Sequence, residues 1–577
     1  MRSVTDKNGI EELRAARRES RHLYWFVGIF SAFANLLMLT GPLYMLQVYD
    51  RVLGSRSEET LVALSLLVVF LYGVMGVLDH TRGRIMARAG ARFQSAMDQR
   101  VFDAMIRQSA VEPVPSAQTG LADLESIQRF ISSPVLTAVF DLPWTPIFLF
   151  GITLFHPWLG MLAIGGGAVL ICIALLNQFF SKSPAMKASM ATNRAAITSQ
   201  ELRVEAEMIQ AMGMRSAAFD RWKVARDESL NETIAATDVS GSFTSLTKTL
   251  RLFLQSAMLG LGAYLVLQNE VTPGAMIAAS ILMGRALAPV EMLINQWQVA
   301  QRASKGWTSL SELLGNMPPE KQRIALPKPA AKLSVQALTV VPPGDTRAQL
   351  KTLNFEVKPG QALGVIGPSG SGKSTLARAL TGVWRPAGGT IRLDGASIEQ
   401  YGPDDLGKHI GYLPQRVQLF EGTLAENIAR LGADPDPEKV IAAAKMAAAH
   451  DMIVSLPDGY DTRLSAGGGR LSGGQMQRVG LARALFDDPV IVILDEPNSN
   501  LDNQGSTALN QAIKTLKANG KSVLIMAHRP AAIQECDMLL VLDSGSRVAF
   551  GPKDEVLREM VTNHKTIQNS TNQGGVQ

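Results

Sequence analysis

The pattern of apolar and polar positions changes abruptly along the chain. The first half contains long runs without acidic or basic side chains, most of them at least as long as the about 20 helical residues that cross a bilayer. One run is interrupted by His156 and Pro157, which predict two helices joined by a tight turn. The runs are 23–49, 60–78, 142–181, 252–269 and 271–299. The last run is a weaker candidate because it contains Arg285 and Glu291. We therefore expect six membrane-spanning helices.

Basic residues predict how these helices are oriented. Arginines precede the first run, and Lys and Arg recur in the two long connections, 79–129 and 182–251. Because basic residues collect on the cytoplasmic side of membrane proteins, segment 1–22 and both connections are expected in the cytoplasm. The connections contain few Pro or Gly residues and are predicted to extend the spans as helices, with short helices at 116–125 and 205–212.

A different pattern follows the predicted membrane domain, 23–314. Residues 315–332 are rich in Pro and Lys and are predicted to be a linker. From 333 to 562 short apolar runs alternate with amphipathic stretches, which predicts an α/β domain. The polar tail, 563–577, is predicted to be disordered. The expected fold class is a multi-domain membrane protein, with a six-helix all-α transmembrane domain followed by an α/β domain.

The α/β domain contains a glycine-rich loop between a strand candidate, 362–366, and a helical stretch, 376–381. Such a loop binds phosphate because its glycines let backbone N–H groups approach the ligand at a helix N-terminus. Lys373 would contact the β and γ phosphates, and Ser374 would offer its hydroxyl to Mg²⁺. The nucleotide-binding residues predicted here are Gly367, Pro368, Ser369, Gly370, Ser371, Gly372, Lys373, Ser374 and Thr375.

A second strand candidate ends in two carboxylates. Residues 490–494 are apolar and lead directly into Asp495 and Glu496. Asp495 is placed to bind the metal ion at the carboxyl end of the strand, and Glu496 is placed to polarise the attacking water. Acids after an apolar run carry little information alone, but the phosphate-binding loop upstream makes a P-loop ATPase site the expected interpretation.

The segment between these motifs points to a family. The consecutive residues Leu471, Ser472, Gly473, Gly474 and Gln475 resemble the signature sequence of the ATP-binding cassette (ABC) family. The resemblance extends from 333 to 560 and implies ATP and Mg²⁺ as cofactors. In that family two cassettes face each other, so the resemblance implies that the signature of one chain contacts the γ-phosphate bound by the other.

The same resemblance implies further site residues. Gln415 is similar to the residue that joins metal and water to the membrane domain, which would make it both a catalytic residue and a metal ligand. His528 is similar to the residue that contacts the γ-phosphate and the catalytic Glu496. Asp502 lies in the matching segment 499–502 and is expected at the nucleotide.

Two features depart from the family's pattern. Many family members stack adenine on an aromatic residue of the first strand, but residues 335–343 include none. Adenine recognition is therefore expected to be weaker or to use apolar contacts. Many exporters also have a Glu-containing loop before the signature, where this chain has residues 465–470 without Glu. The coupling role of that loop therefore does not carry over.

Residues 41–53, together with the whole layout, resemble the type I secretion ATPases of the PrtD-like group. The resemblance implies a homodimer in the cell inner membrane with its ATPase domain in the cytoplasm. It also implies a periplasmic membrane-fusion adaptor, an outer-membrane channel and an unfolded protein substrate with an uncleaved C-terminal signal. The alternative is an exporter or flippase of lipids or small amphipathic molecules, because the spans themselves do not specify a polypeptide.

Composition excludes several other classes. The chain has 56 Lys+Arg against 51 Asp+Glu, which gives a net charge of +5. Over 577 residues this charge is too small to favour nucleic-acid binding. Cys172 and Cys536 are the chain's only cysteines, so neither a disulfide framework nor a Cys-rich metal site is expected.

The motifs and the spans exclude two further classes. A regulatory, channel-like cassette protein often has a degenerate nucleotide site, whereas the motifs here are complete. A soluble cassette is excluded by the spans.

A few residues inside the spans leave alternatives open. The charged residues Asp141, Arg285 and Glu291 either face a substrate path or lie at helix ends outside the hydrocarbon. Pro42 predicts a kink in the first span, which either shapes a pathway or serves packing.

Overall fold

A computed structural model describes residues 4–112, 115–320, 323–324, 326–465, 469, 471–499, 501, 503–527 and 533–559. Contacts divide the chain into two compact units. The first, which we call the helical unit, comprises Met1–Ser109 and Pro113–Pro319. The second, which we call the α/β unit, comprises Ala110–Glu112 and Glu320–Gln577.

The helical unit consists of α-helices joined by short turns. In the described part of the chain six helical segments are long and apolar enough to cross a membrane, which confirms the predicted number. In chain order the helices are α1 (Val4–Glu19), α2 (Arg21–Leu37), α3 (Thr40–Gln47), α4 (Leu53–Ser55), α5 (Glu58–Val111), α6 (Pro115–Ile131), α7 (Pro134–Asp141), α8 (Thr145–Phe155), α9 (Pro157–Val204), α10 (Ala206–Ala211), α11 (Arg215–Leu267), α12 (Pro273–Asn295) and α13 (Trp297–Asn316). A π-helical turn covers Val48–Val52, and a 3₁₀ turn covers Leu142–Trp144.

The predicted turn between the third and fourth spans is present. His156 has an extended backbone, with φ −164° and ψ 138°, and its Nδ1 accepts a hydrogen bond from Trp158 N–H at 3.2 Å. Pro157 begins α9, a position where a missing N–H leaves no helical hydrogen bond unmade. The sequence pair that interrupts the apolar run is therefore the pair that ends one helix and starts the next.

The first span differs from the single run that the sequence predicts. It is divided into α2 and α3 by a break at Met38 and Leu39, and a π-helical turn follows α3. Pro42 has no N–H to donate to the carbonyl of Met38 four residues earlier, which explains why the helix breaks here. Pro42 is buried in the helical unit, and this burial favours the packing interpretation of its kink.

The first of the predicted short helices is longer than expected. Instead of 116–125, α6 continues to Ile131, because Leu124, Ile127 and Ile131 follow helical spacing and are all buried in the same hydrophobic core. The second predicted short helix, 205–212, corresponds to α10.

The charged residues in and near the spans have distinct environments. Asp141 is buried and accepts a hydrogen bond from Arg82 Nη1 at 2.8 Å, so its charge is compensated within the helical unit. Glu291 lies 3.3 Å from Arg251 in an ion pair, whereas Arg285 is exposed on this chain.

The α/β unit contains a six-stranded sheet that is parallel except for one edge strand, a four-stranded antiparallel sheet, a two-stranded sheet and helices that cover them. The larger sheet has the strand order β12-β11-β3-β10-β9-β6, and the antiparallel sheet has the order β2-β1-β4-β5. In chain order the elements are β1 (Leu333–Val340), β2 (Leu350–Val357), β3 (Ala362–Ile366), α14 (Lys373–Leu380), β4 (Gly388–Leu393), β5 (Ala396–Ser397), α15 (Pro403–His409), β6 (Ile410–Leu413), β7 (Gly422–Thr423), α16 (Leu424–Ile428), α17 (Pro437–Met446), α18 (His450–Val454), β8 (Arg463–Leu464), α19 (Gly473–Leu485), β9 (Ile491–Asp495), α20 (Asn503–Ala518), β10 (Ser522–Ala527), β11 (Met538–Asp543) and β12 (Ser546–Pro552).

The larger sheet brings the predicted motifs to one edge. Every residue of β9 and β10 is buried, as is usual for parallel strands with helices on both faces. Both β3 and β9 pair in parallel with β10, with Met526 opposite Val365 on one side and opposite Asp495 on the other. The glycine-rich loop after β3 and the carboxylates at the end of β9 therefore lie at the same carboxyl edge, where open α/β sheets bind ligands.

Candidate nucleotide site

The glycine-rich loop has the backbone that phosphate binding requires. Gly370 and Gly372 have φ values of 80° and 100°, in the left-handed region that glycine adopts without strain. Gly372 is the N-cap of α14, so the loop delivers the first N–H groups of that helix to the site. A Cβ on Gly367 would collide with the carbonyl oxygen of Leu542. The loop therefore cannot accept side chains at these positions without distortion.

Lys373 lies across the inside of this loop. Its Nζ donates hydrogen bonds to the carbonyl oxygens of Gly367 and Pro368, each at 2.9 Å, and the residue is 5% exposed. Burial lowers the pKa of the Lys373 ammonium, and the charges of Glu496 and Asp495 oppose this shift. The two carboxylates thus favour the cationic form that a phosphate would need.

Asp495 and Ser374 form the candidate metal-binding part of the site. Asp495 is 2% exposed, and burial raises the pKa of its carboxyl, while a hydrogen bond from the Ser374 hydroxyl opposes the shift. The pair brings a hydroxyl and a carboxylate together at the end of β9. Both are hard oxygen donors of the kind that Mg²⁺ prefers.

Glu496 is held in a strained conformation beside Gln415. Its φ of 51° lies in the left-handed region, which costs a non-glycine residue about 1–3 kcal/mol and is often found at functional sites. The backbone N–H of Glu496 donates to the carbonyl oxygen of Met526 at 3.0 Å. Gln415 Nε2 donates to Glu496 Oε2 at 3.0 Å, so the carbonyl oxygen of Gln415 is the atom with which it would bind a metal ion.

The signature segment forms a well-capped helix start. Ser472 is the N-cap of α19, its hydroxyl accepts from Gln475 N–H at 3.3 Å, and Gln475 Oε1 accepts from Ser472 N–H at 2.9 Å. Gly473 and Gly474 are the first helical residues, and Leu471 packs partly buried against the core. In the described part of the chain no hydrogen bond joins residues 471–475 to the loop 367–375.

The structure thus brings together Lys373, Ser374, Asp495, Glu496 and Gln415. It does not join the signature segment to the phosphate-binding loop by any hydrogen bond among the described residues. The predicted residues His528 and Asp502 lie outside the described residues, as do four residues of segment 465–470. The site roles of both residues stay predictions.

Several residues of the site were not identified from the sequence. Gln349 accepts a hydrogen bond from the Thr375 hydroxyl at 2.7 Å and so fixes the first turn of α14. The sequence offers little indication of this role for Gln349, because an isolated Gln before β2 matches no motif. Tyr412 neighbours Asp495, and burial raises the pKa of its phenol to about 12. Its place in β6, three residues before Gln415, could have marked it.

Arg483 was also not identified from the sequence. It fixes the segment that follows Gln415, donating to the carbonyl oxygens of Asn427 at 2.8 Å and of Gln418 at 2.9 Å. Asn427 is fully buried and bonds both to Arg483 and to the backbone of Phe420. A basic residue between two alanines in α19, Ala482 and Ala484, was the available signal.

The two units together define a class of protein, a membrane-spanning helical domain joined to a P-loop nucleotide-binding domain. The ABC transporter family model matches residues 350–499, and the ABC transporter transmembrane region model matches residues 24–289. A solved structure of a bacterial Atm1-family ABC exporter with ATP bound has a TM-score of 0.77 and 22% sequence identity, covering 93% of this chain and 96% of that chain. This likeness is one of fold.

Relatives of known assignment resemble the chain along nearly its whole length. The type I secretion system ATP-binding protein PrsD of Rhizobium meliloti (strain 1021) is 42% identical over 97% of this chain and 96% of that protein. The leukotoxin translocation ATP-binding protein LktB of Mannheimia haemolytica is 30% identical over 92% of this chain and 75% of that protein. The chain therefore belongs to the ABC transporter family, in the group of type I secretion ATP-binding proteins. It is a multi-pass membrane protein that binds nucleotide and couples ATP hydrolysis to transport.

Proposed function

We propose that the chain is the ATP-driven exporter of a type I secretion system in the cell inner membrane, and that it moves an unfolded polypeptide with a C-terminal signal. The observation that carries this proposal is the 42% identity to a type I secretion protein over 97% of the chain. A match of this extent includes the membrane half, where the cargo must pass, and not only the nucleotide motifs that all ABC proteins share.

The arrangement at the carboxyl edge of the sheet supports specific roles. Lys373 would contact the β and γ phosphates, and the loop 367–375 would supply backbone donors to the nucleotide. Glu496, held by Gln415, would polarise the water that attacks the γ-phosphate. His528 and Asp502 are assigned to the nucleotide site by motif.

Mg²⁺ is the metal ion that the oxygen donors fit. Ser374, Asp495 and Gln415 would hold it, since they supply a hydroxyl, a carboxylate and an amide carbonyl at the site. When bound with ATP, the ion would neutralise charge on the phosphates.

We further propose that the chain works as a homodimer. One chain carries one phosphate loop and one signature segment, and these are not hydrogen-bonded to each other in the described residues. In the ABC family two cassettes face each other, so Ser472 and Gly474 would complete the site of a second copy. ATP binding would close the two cassettes and hydrolysis would reopen them, with α6 and α10 passing the motion to the spans. A periplasmic adaptor and an outer-membrane channel would continue the path.

The proposal can be tested by ATP hydrolysis of the purified chain in nanodiscs of phosphatidylethanolamine and phosphatidylglycerol. C-terminal peptides of candidate secreted proteins are titrated, with scrambled peptides of the same composition and Glu496→Gln as controls. We expect a saturable change in ATP turnover with the native peptides and none with the scrambled ones. A response only to added lipids or amphipathic drugs would instead favour the alternative, an exporter of small amphipathic molecules.

A further inference from the structure

One carboxylate joins the outer end of the first span to the start of the last. The outer end is the one away from the long helical extensions of α5, α9 and α11. Asp50 Oδ2 accepts a hydrogen bond from the Thr272 hydroxyl at 2.7 Å, and Asp50 Oδ1 accepts one from Gly274 N–H at 2.9 Å. Thr272 is itself the N-cap of α12, since its Oγ1 accepts from Ala275 N–H at 3.2 Å. The charge therefore lies at a helix N-terminus, where the macrodipole favours it.

The contact is closely fitted and lies in an unusual segment. An ideal Cβ on Gly274 would lie 2.6 Å from Asp50 Oδ1, so position 274 has no room for a side chain while the contact exists. Asp50 belongs to the π-helical turn Val48–Val52, and such turns are rare and often found at functional sites. Asp50 is also exposed. Thr272 is exposed as well, so water can solvate the carboxylate and the hydroxyl when they separate.

The second half of α2, near the middle of the same span, is held by a buried network instead. Asn35 Nδ2 donates to Asp141 Oδ1 at 2.7 Å, and Arg82 Nη1 donates to Ser31 Oγ at 3.1 Å and to Asp141 Oδ1 at 2.8 Å. All four residues are buried. Parting a buried ion pair leaves an uncompensated charge, so this network holds α2 permanently against α5 and α7.

A break in the helix separates the two ties. We call residues 40–52 the outer arm; it contains α3 and the π-helical turn. The hydrogen-bond ladder is incomplete where the arm begins, because Pro42 has no N–H for the carbonyl of Met38. Met38 and Leu39 thus form a pivot about which the outer arm can turn while α2 stays in place.

The partner of the latch is anchored independently. His156 Nε2 lies 3.0 Å from Glu270 Oε2, which ties the connection before α12 to the turn between α8 and α9. The start of α12 is therefore held by contacts other than the one with Asp50. The outer arm also packs against α12, and Tyr44 is hydrogen-bonded to Ser65 of α5 at 2.9 Å, so breaking the Asp50 contact removes one of several contacts that hold the arm.

From this arrangement we propose that Asp50 is a reversible latch. It holds the outer arm against the start of α12 while the outer side of the membrane domain is closed, and it releases the arm when ATP binding opens that side. The inference goes beyond the proposed function in that it concerns the transport cycle and holds for any cargo. It shares with that function only the requirement that ATP drives the cycle.

The test is a disulfide placed across the latch. An ideal Cβ at Gly274 lies 2.7 Å from Cγ of Asp50, which puts the Cβ atoms of Asp50→Cys and Gly274→Cys near the about 3.5–4.5 Å of disulfides. The exposed Cys172 is replaced by Ser. Cys536 is retained, because burial raises the pKa of its thiol to about 12 and keeps it unreactive.

The measurement is the rate of cross-linking by copper phenanthroline in nanodiscs of phosphatidylethanolamine and phosphatidylglycerol. It is compared without nucleotide and with ATP and Mg²⁺ in a chain that also carries Glu496→Gln, so that bound ATP is retained. We expect the rate to fall about tenfold with ATP, because a population that is nine-tenths open leaves one tenth able to react. The oxidised chain with Glu496 intact should lose ATP-driven turnover and regain it on reduction.

A milder variant tests the latch without cysteines. Asp50→Asn keeps the size of the side chain but removes its charge, and we expect about fivefold higher ATP turnover without cargo, the scale of one charge lost at a helix N-terminus. Glu58→Gln is the matched control, because it removes an exposed carboxylate at the same outer end and should leave turnover unchanged.

Two results would overturn the proposal that Asp50 is a reversible latch. One is an unchanged cross-linking rate in a chain whose bound ATP has been measured, which would leave the proposed function intact. The other is equal turnover of the oxidised and reduced chains. If no ATP is bound at all, the proposed function fails and ATP-driven release fails with it; the measured nucleotide content distinguishes this case from the first.

Discussion

Replacing Arg82 by Met is expected to destabilise the helical unit strongly. Arg82 Nη1 donates to Asp141 Oδ1 at 2.8 Å and to Ser31 Oγ at 3.1 Å, and its Nε lies 3.1 Å from Asp79 Oδ1. The side chains of Arg82 and Asp141 are only 10% and 12% exposed. Methionine fills a similar volume but leaves Asp141 without its cation.

The size of the destabilisation depends on which carboxylate loses its cation. Removing one partner of a buried ion pair costs about 3–5 kcal/mol, because the remaining charge stays desolvated. Asp79 adds less than Asp141, since its side chain is 39% exposed, although its Oδ1 atom, which faces Arg82, is buried. Asn35 still donates to Asp141 at 2.7 Å, so we take the lower end of the range, about 3 kcal/mol. For a helical unit of about 316 residues that unfolds with roughly 2.1 cal/mol/K of entropy per residue, this corresponds to a decrease of roughly 4–5 °C in the midpoint of thermal unfolding.

The assay is tryptophan fluorescence during heating of the nanodisc-embedded chain at one fixed scan rate. Arg129→Met is the matched control, because Arg129 pairs with Glu125 at 2.6 Å on the surface and should change the midpoint by less than about 2 °C. The double variant Arg82→Met/Asp141→Asn removes both charges and should recover most of the lost stability. A single variant as stable as the native chain, or a double variant no better than the single, would refute the reasoning.

Three further predictions concern the nucleotide site. Lys373→Ala should weaken ATP binding about a hundredfold in equilibrium titration, the scale of losing charge-assisted hydrogen bonds, and retained affinity would remove Lys373 from the site. Gln415→Ala should lower kcat about tenfold with little change in KM, because it releases Glu496 without touching the phosphates; an increase in KM alone would contradict that role. Because burial raises the pKa of Asp495, the ligand-free fold gains stability where this group is protonated and loses it as pH rises through the raised pKa; conversely, Mg²⁺-dependent ATP affinity should weaken as pH falls through it. Asp495→Asn should abolish this pH dependence in thermal unfolding, and an unchanged profile would exclude Asp495 as its source.

Much of the α/β unit could be predicted because its signals are local. The strand predicted at 362–366 is β3, and the strand predicted at 490–494 corresponds to β9, Ile491–Asp495. The loop between β3 and α14 could be placed because its glycines and Lys373 are consecutive. Such segments carry their own strand, turn and helix signals, so no distant contact is needed to identify them.

The features that the sequence did not reveal depend on distant partners. Asp141 bonds to Arg82 across 59 positions and to Asn35 across 106, and one sequence gives no means of pairing them. The same holds for the contact between Asp50 and Thr272, which are 222 positions apart. The extension of α6 was missed because helix length there depends on the core that its apolar side meets.

The most direct test of the central claim is translocation of a polypeptide into proteoliposomes. A labelled, unfolded polypeptide with its native C-terminal signal is added with ATP and Mg²⁺ to vesicles whose cassettes face outward, and protease protection is measured. We predict an ATP-dependent protected fraction that is lost when the signal is deleted or when Glu496 is replaced by Gln. Protection that is equal in Glu496→Gln, or absent while the same vesicles move lipid in an ATP-dependent manner, would contradict an ATP-driven polypeptide exporter.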